Sequence, residues 1–332
     1  MEKNAVLFAG TDDARFVSTY MVFCESHWSS RNQPHNKDFD RSDVYLLAQN
    51  ALADATYMSA LRDQYDFDRP TNTTVIQRLL GRDRAYPLRP ILIPSAEDNT
   101  QAFRQYVADV QADRDSNPAN PSINVTNGRI RVRGVGGVMH INGILAHWIF
   151  TRNKDQHPFY VEESYGIPWM YPNLQPAGII MKLGPQPLPS PQENPQLWRE
   201  IIDHDRAYWD QLASMLMARG DFRRNEDAKK CFSHLRGAIA GLYVFREMNA
   251  DAEYAFRQAL QLDPGNSESH FRLADLYLRQ QRYAEARALM NAYQKLEPAD
   301  TSARDFLASI AATEKDHIRR QDLEKRTPRS MT

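Results

Sequence analysis

A short apolar run from Asn4 to Ala9 ends at Gly10-Thr11-Asp12-Asp13-Ala14-Arg15. Glycine permits a tight turn after a strand, Thr-Asp caps the helix that follows, and Asp13 has the chemistry to hold a metal or a sugar hydroxyl. In an open α/β sheet, ligands sit beyond the carboxyl ends of the strands, so Thr11, Asp12, Asp13 and Arg15 are the first candidate ligand-binding residues. A plain capped helix start accounts for them equally, and without Gly-x4-Gly-Lys this is no phosphate loop. Glu162 and Glu163 follow a second apolar run, Phe159-Tyr160-Val161. Paired carboxylates do acid/base work when their surroundings separate their pKa values. Neighbours on a strand point to opposite faces, however, so one solvated and one structural glutamate is the simpler reading. Trp169, Met170 and Tyr171 can stack on a sugar ring or pack as a lid. No residue is assigned a catalytic role.

The nine histidines form no His-Glu-x2-His and no Cys/His spacing suited to zinc, so no metal site and no cofactor is expected. His140 and His147 share a helix face two turns apart and read as structural. Gly134-Val-Gly-Gly137 has no acidic partner downstream and reads as a turn. Cys24 and Cys231 cannot make a disulfide framework and read as core thiols. With Lys plus Arg at 41 and Asp plus Glu at 42, the balance is −1, which argues against nucleic acid or an anionic membrane as a partner bound through bulk charge. The uncharged stretch between Arg133 and Arg152 carries too many glycines, histidines and asparagines to insert as one helix, so the chain as given reads as soluble, with no signal peptide.

These candidates need elements to hold them. Strand patterns fall at 4–9, 43–48, 90–94, 158–164 and 177–183, and helical patterns at 50–65, at 95–114 with a Ser95/Asp98 cap, and at 138–150. The alternation argues for an α/β fold with a mostly parallel sheet. Thr126-Asn127-Gly128 between Ile123-Asn-Val and Arg129-Ile-Arg-Val-Arg adds an antiparallel hairpin.

Pro185, Pro187, Pro189, Pro191 and Pro195 then stiffen the chain into an extended linker. Ten of 14 glycines and 16 of 19 prolines lie at or before residue 195, and beyond it the chain is Ala/Leu/Arg/Glu-rich with helical period. There Ala240 and Ala274, Tyr243 and Tyr277, Ala252 and Ala286, and Pro264 and Pro298 are each 34 residues apart; Phe256 matches Met290, and Ala259 matches Tyr293. Ala-x2-Tyr, Ala-x3-Phe-x2-Ala and a closing Pro is the tetratricopeptide pattern. The expected organisation is an α/β domain at 1–183, a Pro-rich linker at 184–195, and an all-α repeat domain at 196–314. Repeats fall at about 233–266 and 267–300. An aromatic-rich helix with Trp198 and Trp209 covers one end and a helix at 301–314 the other, because two repeats rarely bury enough surface alone. Residues 315–332 read as a charged, frayed tail.

Asn4-Ala-Val-Leu-Phe-Ala-Gly-Thr-Asp-Asp, Asp43-Val-Tyr-Leu-Leu-Ala-Gln-Asn-Ala-Leu-Ala-Asp, Phe159-Tyr-Val-Glu-Glu-Ser and Gly178-Ile-Ile-Met-Lys-Leu together resemble the soluble region that follows the membrane helices in bacterial multi-pass proteins related to protein O-mannosyltransferases. Many such proteins append tetratricopeptide repeats. The resemblance covers about residues 4–183. It implies that catalysis resides in membrane helices outside this sequence, that this chain is the soluble C-terminal portion, and that it faces the periplasm.

Two functions follow. One is a non-catalytic interaction and scaffold portion of a glycosyltransferase-like membrane protein, with a protein or peptide in the repeat groove and the α/β domain docked on the missing N-terminal membrane domain. It predicts an apolar docking surface within 1–183. The alternative is a self-contained enzyme acting on a sugar or phosphate at the 10–15 strand end, which predicts a pocket of convergent carboxylates. Asn249, Arg272, Asp275 and Arg279, assigned to the first helices of the repeats, are the candidate groove contacts.

Overall fold

The computed structural model describes residues 1–10, 12–29, 31–33, 36, 39–65, 90–116, 123–126, 129–132, 135–162 and 166–326. The chain divides into two compact units, Met1–Leu188 and Pro189–Thr332. Among the described residues no helix is long and apolar enough to cross a membrane.

In the first unit the strands β1 (Val6–Ala9), β2 (Tyr45–Ala48), β5 (Phe159–Val161), β6 (Leu174–Ala177) and β7 (Ile180–Leu183) form one sheet in the order β2-β1-β5-β7-β6. β1 lies parallel to both β2 and β5, and every one of its residues is buried, as a central parallel strand requires. The sheet is mixed rather than mostly parallel. Gly178, with φ 76°, opens the short turn from β6 to β7, and that hairpin runs antiparallel against β5. Pro176 hides β6 from sequence reasoning, yet proline is tolerated there because β6 is the sheet's edge. The Asn-Gly hairpin is present as β3 (Ile123–Thr126) and β4 (Arg129–Val132), a separate two-stranded sheet.

Among the described residues the segment 90–94, expected as a strand, joins no sheet. Asn153 takes the place of a neighbouring strand: its Oδ1 accepts from the Leu92 N–H at 2.7 Å and its Nδ2 donates to the Leu92 carbonyl at 3.0 Å. Flanking Pro90 and Pro94 remove two further ladder donors. The helices are α1 (Asp12–Phe23), α2 (Ala55–Tyr65), α3 (Ala96–Ser116) and α4 (Val135–Asn153). Ser95 and Asp98 exchange side-chain and backbone bonds as the capping box predicts. Gly136 and Gly137 lie in the first turn of α4, so the glycine run opens a helix instead of making a turn.

The free edge of β2 is closed by two tyrosines of α2. Tyr65 accepts the Leu46 N–H at 3.0 Å, and Tyr57 accepts the Ala48 N–H at 2.6 Å. Cys24, expected in a core, is exposed where α1 gives way to a 3-10 turn, and Cys231 is half-buried.

Leu188 N–H donates to the Pro172 carbonyl within the first unit, while the Pro189 carbonyl accepts Trp198 Nε1–H within the second.

From Pro195 the described residues of the second unit form helices joined by short turns: α5 (Pro195–Ala218), the short α6 (Gly220–Arg224), α7 (Glu226–Phe245), α8 (Asn249–Leu262), α9 (Ser267–Arg279), α10 (Tyr283–Leu296) and α11 (Thr301–Arg326). Asn194, Asn225 and Asn266 cap α5, α7 and α9 by accepting a backbone N–H three residues on. α11 runs through the segment expected to fray from Lys315. Arg287 pairs with Glu314, and the Tyr283 ring stacks on His317, so α10 holds α11 past residue 314. Residues 327–332 lie outside the described residues.

The 34-residue period is written in the backbone as well as the side chains. All the paired Ala, Tyr, Phe and Met landmarks are buried. Glu247 and Gln281, 34 apart, both adopt left-handed φ values of 59° and 61°. Around the first, Glu247 N–H donates to Val244 and Met248 N–H to Tyr243; around the second, Gln281 donates to Leu278 and Arg282 to Tyr277. These are two copies of the Schellman helix end, a position where glycine is preferred. Replacing Glu247 or Gln281 by glycine is therefore expected to raise the stability of the unit by about 1 kcal/mol each, read from denaturant midpoints. A loss of stability would mean that the side chains contribute more than the backbone strain costs.

Candidate functional site

At the carboxyl ends of β1 and β5 the two candidate segments meet. Glu162 is buried and its Oε2 accepts the Gly10 N–H at 2.8 Å. At least one oxygen of this carboxylate thus holds the turn at the end of β1. Thr11 and Glu163 lie outside the described residues, as do the side chains of Asp12, Asp13 and Arg15. Among the described residues no group of three or more His, Cys, Asp and Glu could hold a metal ion. Asn142, which sequence reasoning passed over, is fully buried on α4 and ties the loop after β2: its Oδ1 accepts the Ala53 N–H and its Nδ2 donates to the Asn50 carbonyl.

In the second unit the first helices of the two repeats, α7 and α9, lie side by side. His234 of α7 contacts Glu268 of α9 at 3.3 Å, and a Cβ added to Gly241 would fall 1.8 Å from Arg272 Nη2. Glycine at 241 is what lets the guanidinium lie against α7. From there Arg272 pairs with Glu268 at 3.0 Å and sits 5.5 Å above the Phe256 ring. Hydrogen bonding from His234, followed by the nearby Arg272 charge, holds the Glu268 carboxyl down at about 2 against desolvation. One turn on, Asp275 and Arg279 pair at 2.7 Å with side chains 47% and 65% exposed. Arg272, Asp275 and Arg279 fall on one face of α9 by helical spacing, and Phe245, the last residue of α7, is exposed. Asn249 does not join them: it is the first residue of α8, the second helix of its repeat.

Behind that face lies a fully buried ion pair. Arg236 Nη1 donates to Asp205 Oδ2 at 2.7 Å, Tyr243 OH donates to the same oxygen at 2.7 Å, and the guanidinium lies 5.1 Å from the Trp209 ring centroid. Burial and the Asp205 carboxylate push the Tyr243 phenol far above its ordinary range. α5 runs alongside α8 through Arg206–Asp251 and through Asp210, which accepts from Tyr254 and Gln258. A cleft of about 610 Å³ opens between the two helices near Met217 and Gln261. On the other side Glu253 gathers Arg282, Tyr277 and Arg257, and Arg282 above all lowers its carboxyl to about 2.

Residues 246–318 match the tetratricopeptide repeat family. They form a tetratricopeptide repeat region. The match begins at the turn between α7 and α8 and reaches well into α11, so the expected capping helix is counted within the repeats. No curated protein matches the chain. The repeat pattern carries a tryptophan seven residues before its tyrosine. Here Arg236 and His270 stand at those two places, and Arg236 is the one that reaches Asp205 on α5. This exchange was the available signal for the ion pair.

Breaking a buried pair by removing one partner leaves a charge without compensation, whereas removing both leaves an apolar site. Asp205→Leu and Arg236→Met alone should each destabilise the unit by about 3–5 kcal/mol, and the double variant by much less, measured by urea unfolding. Additive losses would show that the two charges do not act together. The Glu253 carboxyl keeps its charge further into acid when folded than when unfolded. Its contribution is complete above about 4.5 and is lost as pH falls towards about 2. The thermal midpoint of Glu253→Gln should accordingly fall less steeply than that of the parent across that window. Parallel curves would exclude this group as an acid-labile contact.

Proposed function

We propose that the second unit is a protein-interaction module that takes a peptide or protein partner on the face built by α7 and α9. Tetratricopeptide repeats generally bind protein partners, and the observation that carries the reading is the exposed strip Glu268, Arg272, Asp275 and Arg279. Of these, Asp275 and Arg279 pair along the helix with both side chains well exposed, so a partner can exchange that pair for its own at small cost. The exposed phenyl ring of Phe245 at the end of α7 offers an apolar anchor.

The first unit is read as a docking element of a larger, glycosyltransferase-like membrane protein at the extracytoplasmic face. The sequence resemblance supports this, as does a patch of exposed apolar side chains on α1 and the turn after it. Phe16, Val17 and Tyr20 are 63%, 59% and 40% exposed, with Phe23 and Trp28 beside them. Solvent-facing aromatics grouped in this way mark interaction surfaces.

A photocrosslinking residue placed at Arg279 should capture a protein partner, and one placed at Tyr20 a multi-pass membrane protein. Exchanging the two charges in Asp275→Arg/Arg279→Asp preserves the ion pair and the helix but reverses the polarity offered to the partner. It should lower affinity at least about tenfold without moving the thermal midpoint. Unchanged affinity would remove this face from the interaction.

A further inference from the structure

A cavity of about 460 Å³ opens in the first unit between α3, α4 and the segment 166–169. One side of α4 forms its wall, where Gly136, His140, Gly143 and His147 succeed each other at three- and four-residue steps. Opposite stands Trp169, fixed at both ends: its Nε1–H donates to the Gly143 carbonyl at 3.0 Å, and its ring meets His147 edge-on at 4.8 Å and Phe150 at 5.4 Å. Trp148 and the Gln105 amide complete the polar and aromatic lining.

Two features separate this cavity from ordinary packing. Among the described residues that line it there is no carboxylate, ammonium or guanidinium. His140 is paired with Asp109 at 3.1 Å, and burial, followed by the Lys154 charge, lowers the pKa of His147, which leaves its imidazole neutral at pH 7. Glycine within a helix is disfavoured relative to alanine, yet a Cβ at Gly136 would meet nothing within 4 Å. Among the described residues no neighbour demands glycine there, and a larger side chain at this position would reach into the space the cavity occupies.

We propose that this cavity binds a small neutral aromatic ring with a hydrogen-bonding edge, of the phenol or indole kind. A flat ring fits against the indole faces, and its hydroxyl or N–H finds the His147 imidazole or the Gln105 amide. A charged ligand would meet no counter-charge among the described lining residues, at high cost. A sugar would bring more hydroxyls than two imidazoles and one amide can satisfy, and a plain hydrocarbon would leave those groups unmatched.

The test is titration of the 332-residue chain with p-cresol and with indole, followed by calorimetry and by NMR of the tryptophan Nε1–H signals. Methyl glucoside, indole-3-acetate and cyclohexane serve as comparators. The expected result is saturable 1:1 binding at a Kd of about 0.1–1 mM, as suits a ligand of that size, with ring contacts to His147 and Trp169. Gly136→Leu should weaken it at least about tenfold with no drop in thermal midpoint. Should that variant fail to fold, Gly143→Ala takes its place, since among the described residues the added methyl meets only Ile167, at 3.6 Å. Absence of saturation, equal binding by the variants, or tighter binding of a comparator overturns the proposal.

Discussion

Asp205 and Arg236 are shut away from water together, and the order of the helical unit follows from how that pair can be satisfied. Two helical hairpins expose an apolar face at each end of the stack, so each end needs a further helix. α5 covers the first end and can do so only in the register that brings Asp205 against Arg236 and Tyr243, because any other leaves a charge uncompensated in the interior. Arg206 and Asp210 then fix the same helix along α8. At the other end an apolar device suffices: Phe306 meets the edge of Phe271, and Ile310 is fully buried.

The first unit meets a different difficulty. Its strands are only three or four residues long, so the ladders between them leave many backbone groups to be satisfied elsewhere. Side chains from distant segments do this. Asn153 replaces a strand beside Leu92, Asn142 holds the loop after β2, and Glu162 receives the Gly10 N–H. Of these, Glu162 was also a candidate for chemistry, and at least one of its oxygens holds the backbone.

What could be read in advance follows the reach of each interaction. The repeats were legible because their landmarks recur at one interval and each recurrence is a local packing rule. The capping box at Ser95 and the Asn-Gly hairpin were legible for the same reason. The β6–β7 hairpin was not, since Pro176 argues against a strand until the edge position is known. Segment 90–94 has the composition of a strand, but among the described residues Leu92 bonds to the Asn153 side chain instead of a ladder, and a partner 61 residues away is not visible in a local pattern. The face on α9 followed from helical spacing. Arg236 in the tryptophan place of the repeat marked an unusual buried position, but its carboxylate partner lies 31 residues earlier, outside the repeat pattern.

The two phenols on the rim of β2 bear on solubility. An open sheet edge is a template on which a foreign strand can add, and successive additions produce fibrils. Here the N–H groups of Leu46 and Ala48 are already engaged, and burial raises the pKa of Tyr65 so far that its hydroxyl stays protonated at any physiological pH. At those two positions, resistance to this route of aggregation comes down to a pair of oxygen atoms.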